Sequence, residues 1–487
     1  MSADDDPTKL EVPAARSVTM TGGLPGGPFF QRTDWLSFGV TTTLVSAVYI
    51  CTLAPNVGLD NSGVWATAAA YGGVSSPPGY PLWTLWGWIF TKLLPFSNIA
   101  WRVAVSSAVA GALACGLIAL MVSRGGAAIL EQRPDHRRLM PWEEKWLRAV
   151  SGYTAGMVYG LNGAFWPQAT KVAVWPLSIL LLCLFLGLLM RWLFRPEDKR
   201  YLYLAALAYG LLLANSQIEL ALAPAIPFLV MTGNRKLARD MFLAAGLMFL
   251  AGLFGYWPSR LPGFSHYQPG EGFFVALLGV VSGLMGLGLV IWTRLAFTEW
   301  KAVLICGGVF VLGLIFYLYL PVASMPDPPV NWSYPRTVEG FFHLITRGQF
   351  ESAKLSSFDR HFLEQVRACL AAAGRELGWP YLLPALIPFC SFHRLGPSVR
   401  RWILGLVAAY FGLAFLMVAV LNPSLDRQTW EFSQTCFSAS YVVLALWLGY
   451  GLVILGPTLG KPRVQKGEIQ MPRLVIVGRD PSDRPKG

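Results

Sequence analysis

The chain has 487 residues, of which 54% are hydrophobic and only 14% are charged. A soluble domain carries about 25% charged residues, so this composition excludes a soluble enzyme, a disordered tail protein and a nucleic-acid reader. A formal net charge of +12 would otherwise indicate a nucleic-acid partner, but the basic residues lie between hydrophobic runs, which is typical of a polytopic membrane protein.

Apolar runs long enough to cross a bilayer, about 20 residues each, recur along most of the chain. We therefore predict an all-α membrane protein with about twelve transmembrane helices. The predicted spans are 35–53, 102–122, 148–165, 172–194, 201–215, 218–231, 240–257, 273–293, 302–320, 378–392, 401–421 and 437–456.

A further apolar stretch, 80–95, is short and bounded by prolines, and the basic residues indicate whether it crosses. If it does not cross, the basic loops 123–147, 195–200 and 232–239 lie on one side, as the positive-inside rule requires. If it crosses, most loops violate that rule. We therefore predict an interfacial helix on the outer face within 80–95, and both termini in the cytoplasm.

The predicted organisation is a cytoplasmic N-terminal tail, 1–34, a membrane domain, 35–456, and a cytoplasmic basic tail, 457–487. The polar N-terminal tail lacks a signal-peptide pattern, so the first span is interpreted as an uncleaved anchor. The basic tail is expected to contact anionic membrane lipids. The two long outer segments are 54–101 and 321–377.

Short strings in the outer segments and at the ends of the spans carry a resemblance to a known family. The first outer segment contains the strings Ala54-Pro55-Asn56-Val57-Gly58-Leu59-Asp60-Asn61-Ser62-Gly63 and Ser76-Pro77-Pro78-Gly79-Tyr80-Pro81-Leu82-Trp83. Further strings follow in order: Asn98-Ile99-Ala100-Trp101-Arg102-Val103, Phe165-Trp166-Pro167-Gln168-Ala169, Tyr317-Leu318-Tyr319-Leu320-Pro321, Pro328-Pro329-Val330-Asn331-Trp332, Pro335-Arg336-Thr337-Val338-Glu339-Gly340-Phe341 and Arg347-Gly348-Gln349-Phe350. Together they resemble a bacterial membrane family long described as domain of unknown function 2723.

The animal relatives of that family are membrane-embedded protein O-mannosyltransferases with a C-type glycosyltransferase fold. The resemblance, which covers roughly 35–456, implies that fold, a bacterial inner membrane, and sugar transfer from a polyprenyl-phosphate donor to an extracytoplasmic acceptor, with a protein Ser or Thr expected. Such a transfer needs a carboxylate that takes the proton of the acceptor hydroxyl. It also needs a cation that binds the leaving phosphate.

Asp60 is the single carboxylate of the first outer segment and is the candidate general base. A lone outer Asp is, however, more often a helix cap or a turn residue. Arg427, Arg336 and Arg260 are the candidate phosphate partners. Glu219 lies near the outer end of the sixth predicted span, where an acid is expensive and often functional, unless it is shallow enough to reach water.

The other candidate residues share a polar or aromatic side chain in these outer strings. The full set of donor- or acceptor-binding candidates is Asn61, Trp166, Gln168, Asn215, Glu219, Asn331, Trp332, Arg336, Glu339, Gln349 and Arg427. We predict no tightly bound metal and no cofactor, because no third ligand accompanies Asp359 and His361 at a convincing spacing.

Several positions depart from the family pattern of ionisable residues. The family usually reads Asp-Ser-Gly-Glu in the first loop, where this chain has Asn61-Ser62-Gly63-Val64, and a Glu usual after the Phe-Trp-x-Gln string falls at Ala173. Either Asp60 has taken over the chemistry, or the chain keeps the scaffold without it. The alternative function is therefore a catalytically degenerate member that acts as a structural or lipid-binding subunit, with other membrane subunits as its partners.

Overall fold

The computed structural model describes residues 28–132, 139–256, 269–347, 356 and 359–459. All regular structure within these ranges is helical. The α-helices are α1 Arg32–Cys51, α2 Ser62–Tyr71, α3 Pro81–Leu93, α4 Ile99–Glu131, α5 Pro141–Gly160, α6 Trp166–Ala169, α7 Trp175–Phe194, α8 Arg200–Asn215, α9 Ile226–Met231, α10 Arg235–Tyr256, α11 Pro269–Thr293, α12 Trp300–Leu314, α13 Tyr319–Ser324, α14 Val338–Ile345, α15 Arg360–Leu377, α16 Trp379–Cys390, α17 Pro397–Tyr410, α18 Met417–Leu421, α19 Arg427–Cys436 and α20 Ser438–Leu459.

Seven helices in the described ranges are long and apolar enough to cross a membrane. They are Arg32–Cys51, Ile99–Glu131, Trp175–Phe194, Ala276–Thr293, Trp300–Ser324, Pro397–Leu421 and Ser438–Thr458. Side chains such as Leu247, Leu284 and Leu304 point away from the protein and are more than half exposed, as expected for lipid contact. The chain is therefore an integral membrane protein, in agreement with the sequence prediction.

The predicted count of about twelve spans stays a prediction. The segments 148–165, 201–215 and 240–257 coincide largely with α5, α8 and α10. The sixth predicted span, 218–231, is a 3₁₀ segment, Gln217–Ala225, followed by the short helix α9. Pro224 lies inside that 3₁₀ segment, where its missing N–H and its ring disfavour an α-helix.

The helix α4 is the centre of the bundle and packs against α1, α5, α7 and α20. The contact with α5 is close because Gly152 and Gly156 face the backbone of α4. A Cβ atom at these glycines would lie only 2.6 and 2.8 Å from the carbonyl oxygens of Ala119 and Cys115. Small residues at such positions let transmembrane helices approach each other closely.

A buried ionic network joins α1, α4 and α5 at the end of the bundle that holds Asp34. The Asp34 carboxylate accepts a hydrogen bond of 2.8 Å from Arg148 and one of 2.5 Å from Ser123. Gln31 also receives a hydrogen bond from Arg148 at 3.0 Å. Because every partner is satisfied by another side chain, we interpret this network as structural.

At the opposite end, the segment before α3 packs against the segment that links α12 to α14. Val74 and Asn331 form an isolated parallel β-bridge, and Val74, Leu320 and Leu344 form a small apolar cluster. Gly79 is required there, because its φ is +94° and a Cβ atom would lie 2.8 Å from Leu320. We call this end of the molecule, where 52–80 and 317–347 meet, the capped end.

The predicted interfacial segment 80–95 is indeed helical and corresponds to α3, Pro81–Leu93. One face of α3 is buried against α2 and α4. Trp83 on that face donates a hydrogen bond of 2.9 Å to the Ala173 carbonyl. The position of α3 at the membrane interface stays a prediction.

Candidate functional site

Asp60 and Glu219 are acidic side chains at the capped end that lie in contrasting surroundings. Asp60 lies in the loop between α1 and α2. Its carboxylate accepts a hydrogen bond of 2.6 Å from the Lys171 ammonium and one of 3.1 Å from the backbone N–H of Ser62. The side chains of Asp60 and Lys171 are 38% and 30% exposed. Asp60 is therefore a solvated, ion-paired turn residue.

The electrostatics of Asp60 follow from these contacts. Burial raises the pKa of the Asp60 carboxyl, but the hydrogen bonds from Lys171 and Ser62 outweigh burial, and the pKa lies below its ordinary value. A carboxylate with a lowered pKa is a weaker base. This environment favours a permanent negative charge over proton transfer.

The Asp60 loop is held in place by contacts to the connection between α6 and α7. The Trp166 indole donates a hydrogen bond of 3.0 Å to the Thr52 hydroxyl, and the backbone N–H of Ala54 donates one of 2.8 Å to the Thr170 carbonyl. These contacts explain how Lys171 comes within reach of Asp60, although 111 residues separate them in sequence.

Glu219 lies in the 3₁₀ segment after α8 and is only 2% exposed. One of its carboxylate oxygens, Oε2, is buried without a hydrogen-bond partner, the only carboxylate oxygen in this state among the described residues. No described cation lies within ion-pair distance of it. Buried acidic groups are normally paired, so this one calls for an explanation.

The neighbours of Glu219 are set by a tether between the 3₁₀ segment and α14. The Gln217 side-chain amide donates hydrogen bonds of 3.2 Å to the Ile345 carbonyl and to the Tyr317 hydroxyl. Tyr317 in turn donates a hydrogen bond of 3.0 Å to the Leu213 carbonyl. The turn after α14 is thereby fixed beside the segment that carries Glu219.

Arg347 is the residue that this turn presents. Tyr80 and Cys436 each lie within electrostatic range of both the Arg347 guanidinium and the Glu219 carboxylate. Burial raises the pKa of the Tyr80 hydroxyl, and the adjacent Arg347 opposes that rise. The Nε atom of Arg347 is buried and has no hydrogen-bond partner among the described residues. We call Tyr80, Glu219, Arg347 and Cys436 the Glu219 cluster.

Two members of the Glu219 cluster have a strained backbone. Tyr80 has a φ of +42° and Arg347 a φ of +55°, in the left-handed region that side chains rarely adopt. Tyr80 is held there by an edge-to-face contact with Trp65, with ring centroids 6.3 Å apart. Such strain persists only where the surrounding structure imposes it, and it is common at functional sites.

The remaining predicted site residues lie at the capped end in several surroundings. Asn215 is fully buried and donates a hydrogen bond of 2.8 Å to the Ser178 hydroxyl, while its Oδ1 has no partner in the described part. Asn331 accepts a hydrogen bond of 2.8 Å from Ser324. Four other candidates are exposed at the surface: Asn61, Trp332, Arg336 and Glu339.

Four candidates, Gln168, Arg427, Gln349 and Arg260, have few or no described side-chain contacts. The Gln168 side chain is half-buried at the end of α6. Arg427 begins α19, but its side chain lies outside the described part of the structure, as do Gln349 and Arg260 entirely. The structure thus adds Tyr80, Lys171 and Arg347 to the polar residues of this end. Sequence reasoning placed Arg347 in a family-like string without a role, because only folding brings it near Glu219.

Comparison with known proteins relates part of the chain to protein O-mannosyl-transferases. A family model described as the protein O-mannosyl-transferase TMEM260 N-terminal domain matches residues 61–239. The chain is 28% identical over 222 residues to protein O-mannosyl-transferase TMEM260 of Mus musculus, which covers 44% of this chain and 28% of the mouse protein. It is 35% identical over 77 residues to protein O-mannosyl-transferase tmem260 of Dictyostelium discoideum, covering 15% of this chain and 9% of that protein.

These similarities support a relationship to the protein O-mannosyltransferases, as the sequence motifs predict. The chain spans less than a third of the length of these relatives. No solved structure is significantly similar to it. The matched region, 61–239, contains Lys171 and Glu219 but begins one residue after Asp60.

Proposed function

We propose that this protein is a membrane glycosyltransferase that transfers a sugar from a polyprenyl-phosphate donor to an extracytoplasmic protein Ser or Thr. The similarity of residues 61–239 to a protein O-mannosyltransferase domain carries the proposal. The bundle of apolar helices supports it, since a lipid-linked donor reaches a membrane-embedded protein laterally. The polar, partly unsatisfied capped end supplies the place for the sugar.

The reaction imposes two requirements on the capped end. A carboxylate must accept the proton of the attacking hydroxyl, and a cation must stabilise the phosphate that leaves. The sequence prediction gives the first role to Asp60 and the second to Arg427 or Arg336. Both assignments stay predictions, and Asp60→Asn tests the first, because it removes the base while keeping size and hydrogen bonding.

We further propose the orientation in which the capped end faces the outside and both termini face the cytoplasm. The basic loops 123–147, 195–200 and 232–239 support it through the positive-inside rule. A bacterial inner membrane follows from the family resemblance. In a variant whose native cysteines are replaced by serine, single cysteines introduced at the exposed Trp332 and at Trp142, at the opposite end, test the orientation with a membrane-impermeant thiol reagent on intact cells.

One observation favours the alternative, a structural subunit without catalysis. Ala173 replaces the Glu that is usual in the family, and it is fully buried. Its carbonyl accepts hydrogen bonds from Trp83 and Ser107, and its N–H donates to the Ser107 hydroxyl. Ala173 supplies no carboxylate there, so the role that the resemblance implies for a Glu at this position has no counterpart in this residue.

The test separates the two functions directly. The purified chain is incubated in detergent micelles with undecaprenyl-phosphate mannose and a library of Ser- and Thr-containing peptides. Release of undecaprenyl phosphate together with mannosylated peptide supports the glycosyltransferase. A chain that consumes no donor and is isolated with a fixed set of other subunits, without a lipid phosphate in native mass spectrometry, contradicts it and supports the structural role.

A further inference from the structure

The Glu219 carboxylate is a buried acidic group to which the sequence prediction gives no catalytic role. It is 2% exposed, and its Oε2 atom has no partner within the described part of the chain. The same carboxylate has a side-chain hydrogen bond from Ser216, which is itself buried. Burial of an unpaired carboxylate destabilises a protein. Buried ionisable groups of this kind are concentrated at functional sites.

A second, independent observation is the orphaned donor in the same cluster. The Nε atom of Arg347 is buried and unpartnered within the described residues, and the guanidinium shares Tyr80 and Cys436 as neighbours with Glu219. No ion pair joins Arg347 and Glu219. Arg347 hydrogen-bonds to the Tyr80 hydroxyl, but its Nε atom and Oε2 of Glu219 both lack a partner among the described residues. The two side chains share Tyr80 and Cys436 as electrostatic neighbours without pairing with each other.

The tether through Gln217 explains why this arrangement is fixed. Gln217 is two residues before Glu219, and it hydrogen-bonds to Ile345, two residues before Arg347. The 3₁₀ segment and the turn after α14 are thus held in one register. A ligand with a hydroxyl that donates and a phosphate oxygen that accepts would satisfy both orphaned atoms.

We infer that Glu219, rather than Asp60, accepts the proton of the acceptor hydroxyl, and that Arg347 binds the leaving phosphate of the donor. This inference rests on the proposed function and names the residues that perform it. The Asp60 carboxylate, by contrast, is occupied by the Lys171 ammonium at 2.6 Å. A carboxylate that must remain ionised beside a cation is poorly suited to take up a proton.

The chemical step balances without a further reactant. The acceptor oxygen forms a bond to the anomeric carbon as the bond from that carbon to the phosphate oxygen breaks. The departing oxygen keeps the electron pair, and the charge of the phosphate is stabilised by the Arg347 guanidinium. The proton of the acceptor hydroxyl moves to Oε2 of Glu219, which later releases it to solvent.

The test uses the full chain in detergent, with undecaprenyl-phosphate mannose and the Ser/Thr peptide library as probes. We expect Glu219→Gln to slow sugar transfer by at least about 100-fold while native mass spectrometry shows the donor still bound. We expect Arg347→Gln to weaken donor binding by at least about tenfold. Glu364→Gln and Arg360→Gln are matched controls from an exposed surface ion pair, and both are expected to behave as wild type.

The outcomes distinguish the inference from the proposed function. Transfer by Glu219→Gln at the rate of Glu364→Gln, in a wild-type protein that is active, overturns the inference and leaves the function intact. A 100-fold loss in Asp60→Asn alone also overturns it. A wild-type chain that neither binds nor consumes the donor overturns the proposed function itself.

Stability separates a catalytic Glu219 from a structural one. Glu219→Gln replaces an unpaired buried charge by a neutral group of the same size, so we expect a melting temperature equal to or above that of wild type. A structural carboxylate would give the opposite result. If this variant fails to fold, Glu219→Asp is the second test, because it keeps the charge and withdraws the carboxylate by one methylene. We expect this variant to transfer sugar at least about tenfold more slowly, with unchanged donor binding. Transfer at the wild-type rate in Glu219→Asp overturns the inference.

Discussion

Two acidic side chains at the capped end, Asp60 and Glu219, illustrate how differently a fold can treat the same chemical group. Asp60 is solvated, paired with Lys171 and bound by the backbone of its own turn. Glu219 is buried, and one of its oxygens is unpaired within the described residues. The Asp60 carboxylate has its partners within the protein, whereas the Glu219 carboxylate would gain a partner for its second oxygen from a bound ligand.

In these two residues, the partners of the carboxylate, and not its position in a loop, set whether it can take up a proton. Asp60 stands in the position that a motif reading favours, directly after the first span. Its ion pair neutralises it and lowers its pKa. Glu219 gains its character from the exclusion of water, because it is 2% exposed and one of its oxygens has no partner among the described residues. Reactive groups are commonly found in the second kind of environment.

The largest effect is expected when the two carboxylates are removed together. The double variant Asp60→Asn/Glu219→Gln is expected to transfer sugar as slowly as Glu219→Gln alone, about 100-fold or more below wild type, because only one of the two groups takes up the proton. Initial rates of undecaprenyl phosphate release measure this. A further large loss in the double variant would show that both carboxylates participate.

The next effect concerns the turn that presents Arg347. Gln217→Ala removes the hydrogen bonds from the 3₁₀ segment to the Ile345 carbonyl in α14 and to the Tyr317 hydroxyl. We expect transfer to fall by roughly thirtyfold, since about 1 kcal/mol is lost for each bond. The matched control is Gln132→Ala at the opposite end of α4, whose side-chain oxygen has no partner in the described part. Equal transfer rates in the two variants would show that the Gln217 hydrogen bonds do not affect sugar transfer.

A smaller effect is expected at Tyr80, which is an electrostatic neighbour of both Arg347 and Glu219. Tyr80→Phe keeps the ring and its contact with Trp65 but removes the hydroxyl beside Arg347. We expect donor affinity to change by a few-fold, in the range of one neutral hydrogen bond. Titration of the donor in native mass spectrometry measures the change, and a complete loss of binding would contradict a merely supporting role for this hydroxyl.

The smallest effect on activity is expected at Asp60. Asp60→Asn is expected to retain at least about half of the wild-type transfer rate, because the ion pair with Lys171 is exposed and worth less than about 1 kcal/mol. Lys171→Met provides the reciprocal variant. Loss of transfer in both variants would instead assign the reaction to this pair.

The same pair gives a signature in the pH dependence of stability. The pKa of Asp60 is lowered in the folded protein from a reference of 3.8. Its contribution is therefore fully present above that reference value and is lost as the pH falls through the lowered pKa. We expect a small difference in melting temperature between wild type and Asp60→Asn at pH 7, and we expect this difference to vanish in strong acid. A difference that grows on acidification would contradict the ion pair.

Much of the architecture could be predicted from the sequence. Apolar runs such as 35–53, 172–194 and 437–456 correspond to α1, α7 and α20, because a span needs about 20 apolar residues whatever its neighbours are. The strings around Trp166 and Tyr80 led to the relationship with protein O-mannosyltransferases, which the comparisons support. The stretch 80–95 was expected to be helical, and α3 confirms that part.

The candidate site was predicted less completely. Glu219 was recognised as a costly acid near the end of a span, but the alternative that it reaches water could not be decided from its position. Its burial at 2% exposure decides it in the described structure. Arg347 and Lys171 received no role, because their partners are more than 100 residues away in sequence.

The sequence by itself determined that the chain is a helical membrane protein, since hydrophobic length and the distribution of charge are properties of the chain itself. The tertiary structure decided which polar groups are satisfied. Lys171 reaches Asp60 because α6 and its loop pack on the first outer segment. Folding also brings Arg347 into one cluster with Glu219, and the hydrogen bond from Gln217 to Ile345 links the two segments that carry them. Burial and pairing depend on residues distant in sequence, and these two quantities set whether a carboxylate is a surface charge or a base.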